Sequence, residues 1–173
     1  MNNLILTPEI LTAENFSQFG QVISREQKDF LTINNGYAKK YPDLALIDTQ
    51  EHDGTTTVHI YVAKKRQFPL HIKMLEKHPF FSQTFIPKDN QPFLVVVAPA
   101  SDELNIEDIR AFISNGEQGV NYSRGVWHFP LISVKDDVQF IVIDRKHVID
   151  SDDIEQCIVH PIEDSNITLE FSL

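Results

Sequence analysis

Short runs of residues typical of β-strands recur along this chain, and they constrain its fold more than any other feature. The run Phe93–Ala98 (Phe-Leu-Val-Val-Val-Ala) is apolar throughout, as expected of a strand that is buried on both faces. Residues 55–63 instead alternate, with Val58, Ile60 and Val62 on one predicted face. Similar runs lie at 110–114, 131–134, 138–144 and 167–171.

Turn sequences separate these runs, and helical patterns are few. Turn-forming residues cluster at 52–54 and 87–92. A short helix is predicted over 13–18 with Thr12 as its N-cap, and a further single turn over 102–108. Many short strands with little helix favour an antiparallel barrel or sandwich, and the length of 173 residues favours a single domain over 1–173.

Charge and cysteine content bound the partners of this protein. A formal net charge of −10 argues against nucleic acid and anionic membranes, since both need clustered Lys and Arg. The single cysteine, Cys157, can form no internal disulfide and is interpreted as a semi-buried structural thiol. The amino end lacks the basic and apolar regions of a signal peptide, and no apolar run has the length of a membrane span. We expect a cytoplasmic protein.

Two distant segments carry side chains that bind metals. Glu76 and His78 are two residues apart on a predicted strand, so both point to one face, and Gln83 follows after a short turn. His128 ends the second segment, Ser-Arg-Gly-Val-Trp-His at 123–128. A carboxylate, an amide oxygen and two imidazoles could hold a divalent ion such as nickel, manganese, iron or zinc, whereas a structural zinc site usually has thiolates.

These residues also have ordinary structural interpretations. A histidine in a strand is usually a surface residue or a hydrogen-bonded core residue, and we adopt that interpretation for His59, His71, His147 and His160. For Glu76 and His78 both interpretations stay open. If the strand 72–78 lines a barrel, Ile72 and Met74 fill its closed end while Glu76 and His78 reach its mouth, and Lys77 lies on the opposite face.

The segment 110–131 is dense in glycines and polar side chains. Its glycines permit tight turns that could gather several of these side chains around one cleft. A pair of tight hairpins with exposed polar tips explains the same residues equally well, and the sequence leaves both interpretations open. The side chains concerned are Gln118, Asn121, Tyr122, Arg124 and His128.

Two of these segments resemble the cupin motifs. Residues 123–128 (Ser-x-Gly-x-x-His) resemble the second motif, Pro-x-Gly-x-x-His, and residues 76–83 (Glu-x-His-x4-Gln) resemble the first, His-x-His-x4-Glu. The chain departs from these motifs at Glu76, Gln83 and Ser123. The resemblance implies a mainly β, cupin-like antiparallel barrel of the double-stranded β-helix or jelly-roll type, with a few short helices and an altered set of metal ligands.

A closer resemblance is to the ureidoglycolate lyase family, and it runs from about residue 5 to residue 145, with no matching segment after Arg145. It implies an enzyme, usually a homodimer, that splits (S)-ureidoglycolate into glyoxylate and urea with a divalent metal, nickel or otherwise Zn²⁺ or Mn²⁺. The segments that carry it are 33–36, 41–45, 75–79, 83–87, 110–112, 115–122 and 125–128.

The resemblance also implies roles for individual residues. His78, Gln83 and His128 are the expected metal ligands, and Glu76 is a fourth ligand or the catalytic base, so that Glu76, His78 and His128 form the catalytic group. Arg110 or Arg124 would hold the substrate carboxylate, and the urea end would contact Asn34, Asn115 or Tyr122. Two alternatives remain: a non-catalytic cupin-like domain that senses a small hydroxy acid, and a metal-dependent oxygenase or isomerase on the same fold.

Overall fold

The computed structural model describes residues 3–26, 28–146, 156–162 and 166–172. This part of the chain is mainly β, as predicted, and three short 3₁₀ turns lie at Asn34–Gly36, Glu51–Asp53 and Ile106–Asp108. The strands are β1 (Asn3–Leu6), β2 (Glu9–Ile10), β3 (Gly20–Ile23), β4 (Leu31–Ile33), β5 (Ala38–Lys40), β6 (Thr56–Ala63), β7 (Leu70–His71), β8 (Met74–Lys77), β9 (Gln83–Pro87), β10 (Phe93–Ala98), β11 (Arg110–Ile113), β12 (Gly119–Tyr122), β13 (Trp127–His128), β14 (Ile132–Ser133), β15 (Val138–Arg145), β16 (Ile158–Pro161) and β17 (Asn166–Leu169).

Two larger sheets form a β-sandwich. The first has the order β16-β8-β13-β10-β11-β2, with β14 also paired to β10, and the second has the order β3-β12-β9-β15-β6. A three-stranded sheet, β1-β17-β7, and the hairpin β4-β5 complete the described strands. The expected fold class is confirmed as a sandwich, since the strand pairs in the described residues do not join the two sheets into a closed barrel. Two pairs, β1 with β17 and β2 with β11, are parallel.

Strand β10 lies at the centre of the molecule because both of its faces are apolar. Phe93, Val95 and Val97 pack into an inner core between the two larger sheets, which also contains Phe85 and Phe140 from the second sheet. The intervening side chains pack into an outer core against β1 and β17. Each buried side chain of this size stabilises the fold by about 1.5–3 kcal/mol, so the two-faced burial predicted for Phe93–Ala98 is both confirmed and energetically important.

The predicted helix at 13–18 is instead a series of turns. The backbone N–H of Phe16 donates to the Thr12 carbonyl at 3.2 Å, and the Thr12 hydroxyl accepts from the N–H of Asn15 at 3.1 Å, so the expected cap is present. The Asn15 side chain accepts from the N–H of Thr12 and donates to the Ile10 carbonyl, which completes a reciprocal cap at the start of the segment. Phe16 and Phe19 are completely buried in the inner core, which fixes the segment without regular helical bonding.

The strand expected over 72–78 forms only from Met74 to Lys77. Ile72 packs with Leu75 in the outer core, so it does not fill the closed end of a barrel beside Glu76. His147 and most of the acidic segment at 150–164 lie outside the described residues, although β16 falls within that segment. In the described part of the chain, no helix is long and apolar enough to cross a membrane.

Candidate active site

Glu76, His78 and His128 meet at one point of the first sheet. Strand β13 pairs with β8 so that His128 lies directly opposite Glu76, and His78 follows β8 immediately. The N–H of Gly125 donates to the His78 carbonyl at 2.9 Å, which ties the two segments together beyond the strand pair. One ligand atom from each of the three side chains lies within 4.8 Å of the other two. The predicted meeting of an acid and two imidazoles is therefore present.

Both imidazole rings are held in one tautomer. The Nδ1 of His78 lies 3.2 Å from the Gln156 carbonyl, and the Nδ1 of His128 lies 3.0 Å from the Val126 carbonyl. A carbonyl can only accept a hydrogen bond, so each Nδ1 carries a proton and each Nε2 is the ring nitrogen left for the site. Both Nε2 atoms are buried and have no hydrogen-bond partner among the described residues. Backbone bonds of this kind are typical of histidines that bind metals through Nε2.

Aromatic packing fixes the planes of the two rings. His78 stacks on Phe81 with centroids 4.4 Å apart, and His128 stacks on Tyr122 with centroids 4.7 Å apart. Burial raises the pKa of the Tyr122 phenol well above its ordinary value, so this ring stays neutral beside the imidazole. Tyr122 thus contacts the site by supporting His128, whereas its predicted role was to bind the urea end of the substrate.

The pKa values of Glu76 and His78 are both lowered, so the carboxylate is charged and this imidazole is neutral near neutral pH. The neighbouring His128, whose Nε2 lies 3.5 Å from a Glu76 oxygen, lowers the pKa of Glu76, which stays ionised. Burial, and next the neighbouring His128, lower the pKa of His78 to about 4, so His78 is neutral near neutral pH. Cys157, which is exposed rather than semi-buried, donates its thiol to the other Glu76 oxygen at 3.8 Å.

The three side chains line one wall of a cavity of about 710 Å³. Gln83, the fourth predicted ligand, lines the same cavity from β9 and is only 8% exposed. Its amide nitrogen donates to Asp144 Oδ2 at 3.2 Å. The remaining lining residues are Tyr61, Val62, Ala63, Lys64, Lys65, Arg66, Phe85, Pro130 and Leu131.

Four of the five predicted substrate-binding residues lie away from this cavity. Arg110 is exposed, and its guanidinium donates to the carbonyls of Glu107 and Ile109. Asn115 bonds within its own loop, to the backbone of residues 117 and 118, and Asn34 lies in a 3₁₀ turn beside the hairpin β4-β5. Arg124 is the fourth.

Arg124 belongs to a second cavity, of about 570 Å³, which it lines together with Asn121. It forms ion pairs with Asp48 at 2.9 Å and Glu51 at 2.7 Å. Gln118 donates to the Leu11 carbonyl and lines neither cavity. The polar residues of 110–131 are therefore divided between different places and do not share one cleft.

Sequence reasoning missed the basic wall of the first cavity. Lys64, Lys65 and Arg66 follow β6 and line it, and they form the only run of three consecutive Lys or Arg residues in the sequence. This run of basic residues could have been used to predict an anion-binding wall from the sequence. Asp144 was missed for a different reason, because its contact with Gln83 joins residues 61 positions apart and depends on the pairing of β9 with β15.

Comparison with known proteins agrees with this geometry. The pattern that defines the family described as ureidoglycolate lyase matches residues 3–165. The chain belongs to the ureidoglycolate lyase family. The match reaches beyond residue 145, where the sequence resemblance was expected to end. The relatives carry the name of an enzyme, and they lend no support to a non-catalytic binding domain.

Several relatives named ureidoglycolate lyase are identical to this chain at nearly half of the aligned positions. The protein of Azotobacter vinelandii is 46% identical over 141 residues, covering 82% of this chain and 85% of its own length. That of Stutzerimonas stutzeri is 47% identical over 140 residues, covering 81% and 82%. A solved structure of RmlC from Streptococcus suis in complex with dTDP-D-xylose aligns with a TM-score of 0.49 at 11% identity, covering 83% of this chain and 73% of that one.

The buried neutral His78 predicts acid sensitivity of the metal-free protein. Its pKa is about 4 in the folded state against an ordinary 6.5, so the unfolded chain binds more protons between these values. The free energy of unfolding should therefore fall by about 3 kcal/mol as pH falls from about 6.5 to about 4, and this contribution should level off below. Denaturant titrations of chelator-treated protein at several pH values measure it.

The His78→Phe variant isolates this contribution, since a phenyl ring can keep the stacking on Phe81. Its stability should depend less steeply on pH over this interval than that of the wild type. His160→Phe, at an exposed position, is the control and should leave the slope unchanged. Equal slopes for His78→Phe and the wild type would contradict the assignment of a neutral buried imidazole.

Proposed function

We propose that the protein is a cytoplasmic enzyme that cleaves (S)-ureidoglycolate to glyoxylate and urea at the cavity around Glu76, His78 and His128. The observation that supports it most is the pair of buried, unpartnered Nε2 atoms facing an ionised carboxylate. Buried polar atoms normally have partners, and an unpaired one costs about 1–3 kcal/mol. In a chain of this family, a cluster of such groups indicates a site built for a ligand.

The donor set fits a divalent metal ion. Two imidazoles and a carboxylate suit Ni²⁺, Zn²⁺ or Mn²⁺, and the two Nδ1–H···O=C bonds orient the imidazoles as metal ligands require. We assign Glu76, His78 and His128 to hold the ion, with Gln83 as a further ligand from the facing strand. When bound, the ion would supply positive charge that favours ionisation of the substrate hydroxyl.

The reaction needs one proton to move between two atoms of the substrate. Ureidoglycolate carries a hydroxyl, a ureido nitrogen and a carboxylate on one carbon. Loss of the hydroxyl proton forms the C=O bond of glyoxylate, while the C–N electrons leave with the nitrogen, which takes up a proton to become urea. The imidazoles are assigned to the ion, so the ionised Glu76 is the member of the trio that would accept the hydroxyl proton and return it to the nitrogen.

The basic wall is the proposed partner of the substrate carboxylate. Lys64 forms an ion pair with Asp137. Lys65 and Arg66 also line the cavity. Their backbone N–H groups donate to the Asp136 side chain and the Ser133 carbonyl, which holds this segment in place. A guanidinium or ammonium group there offers charged donors to a carboxylate. This assignment differs from the predicted use of Arg110 or Arg124, which have partners elsewhere.

The central test is replacement of each imidazole. His78→Ala and His128→Ala should each reduce urea release by at least about 100-fold, because each removes a ligand and leaves the geometry of the others. Urea and glyoxylate are assayed after subtraction of the spontaneous breakdown of the substrate, and circular dichroism checks the fold. Full activity in either variant would overturn the site.

Lys73→Ala is the matched control on the same segment, because this lysine is exposed. Lys77, which the sequence suggested as a silent position on the opposite face, is a poorer control. Its ammonium donates to the Ser101 and Asp102 carbonyls and lies 4.4 Å from the Trp127 ring centroid, so Lys77→Ala should reduce stability.

The carboxylate assignment has its own test. The double variant Lys65→Gln/Arg66→Gln should raise KM by about tenfold or more while changing kcat less, because it removes charged donors that bind the substrate in the ground state. Steady-state kinetics on the metal-loaded enzyme measure both constants. Arg110→Gln and Arg124→Gln serve as comparisons; a larger rise in KM for either of them would favour the assignment made from the sequence.

We also propose that two copies pair through β6. This strand ends the second sheet, contains no Asp, Glu, Lys or Arg, and exposes Val58, Ile60 and Val62 by 63%, 54% and 58%. An eight-residue edge strand with an apolar face and no acidic or Lys/Arg side chains is a surface that folded proteins usually cover. A second copy related by two-fold symmetry would cover it, since the same strand meets itself.

Ile60→Lys should therefore convert a dimer to a monomer in sedimentation velocity, because it places a charge in the centre of the interface. Val159→Lys is the control, since Val159 is 52% exposed on β16 at the edge of the other sheet. A monomeric wild type, or an unchanged dimer in Ile60→Lys, would contradict this interface.

A further inference from the structure

Asp144 is a buried carboxylate that the reaction described above does not use. It lies near the end of β15, is 6% exposed, and contacts the cavity wall through Gln83 on the neighbouring strand β9. Gln83 Nε2 donates to Asp144 Oδ2 at 3.2 Å, and the other oxygen, Oδ1, lies 3.1 Å from His59 Nε2. Both carboxylate oxygens therefore have a nitrogen partner, one from the cavity side and one from the edge strand β6.

This contact determines which way the Gln83 amide faces. A side-chain amide can be turned to present either its oxygen or its nitrogen, and the two orientations occupy nearly the same space. The Asp144 oxygen accepts from the Gln83 amide nitrogen, and turning the amide over would place its oxygen against this acceptor with no hydrogen between them. The planar amide then directs Oε1 away from Asp144.

Gln83 lines the same cavity as Glu76, His78 and His128, so the orientation of its amide decides which group it can offer there. An amide oxygen can bind a cation or accept from a donor, whereas an amide NH₂ facing a cation would repel it. A neutral glutamine without Asp144 could adopt either orientation. With Asp144 in place, the Gln83 amide keeps the orientation in which its nitrogen faces Asp144 and its Oε1 is available as an acceptor.

We propose that Asp144 is a positioning residue that holds Gln83 with its amide oxygen available to a divalent cation bound by Glu76, His78 and His128. This inference rests on the proposed function in so far as the cavity is a metal site. Asp144 does not touch the ion in this arrangement. It acts through Gln83, and His59 supports it by supplying a hydrogen bond to the second oxygen.

A double-mutant cycle tests the dependence on Gln83. Asp144→Asn keeps the shape but offers an NH₂ group, to which the Gln83 oxygen can turn. Calorimetric titration of the chelator-treated protein with Ni²⁺ alone should show a dissociation constant about 10–100-fold higher than that of the wild type. In a Gln83→Ala background, Asp144→Asn should change the constant by about twofold or less, because the residue through which it acts is gone.

A rescue variant separates orientation from structural damage. Gln83→Glu/Asp144→Asn exchanges the carboxylate and the amide, so that a carboxylate faces the cavity whichever way it turns, and Ni²⁺ affinity should return to within about tenfold of the wild type. Asp29→Asn, at an exposed site, is the control for loss of one negative charge. Thermal unfolding of all variants checks that each remains folded.

Three results would overturn the inference: unchanged Ni²⁺ affinity in Asp144→Asn, an equal loss of affinity in the Gln83→Ala background, or no Ni²⁺ binding by the wild type. The readout is independent of turnover. If the expected cycle is obtained while the wild type releases no urea above the spontaneous rate, the proposed function fails and the positioning role of Asp144 stands.

Discussion

The pairing of β8 with β13 is the contact on which the rest of this site depends. It sets the acid of Glu76 opposite the imidazole of His128 and leaves two Nε2 atoms buried without partners. Such an arrangement is unfavourable for folding by itself, since each unpaired buried atom costs about 1–3 kcal/mol. Apolar packing elsewhere must offset that energy. Strand β10, which is buried on both faces and lies next to β13, contributes to this packing.

The inner core also determines the orientation of the His128 ring. Tyr122 stacks on His128 and is itself packed against Phe16 and Phe85, with ring centroids 6.2 Å and 5.8 Å away. A substitution at Phe16, far from the cavity along the chain, would therefore disturb the support of His128. The turns at 12–19 that replaced the predicted helix bring this phenylalanine into the core.

Whether the sequence could predict a feature depended on how far apart the interacting residues lie along the chain. Glu76, His78 and His128 were found because strand alternation is local and because motif spacing records which residues of each strand face inward. The ion pairs of Arg124 could not be predicted, because its partners, Asp48 and Glu51, lie more than seventy positions earlier and are brought to it only by the folded chain. The contact of Gln83 with Asp144 depends on sheet register in the same way, and no local pattern encodes it.

Strand β6 contributes to the cavity wall, to the contact with Asp144 and to the proposed subunit interface. Its alternation places Val58, Ile60 and Val62 on the outer face, while Tyr61 packs edge-on against Phe85 beside the cavity and His59 bonds to Asp144. An edge strand with one free side is the most easily displaced element of a sheet. A subunit contact on its outer face would restrain the opposite face without supplying any residue to it. The cavity wall, the orientation of Gln83 and the assembly of the protein would then depend on the same eight residues.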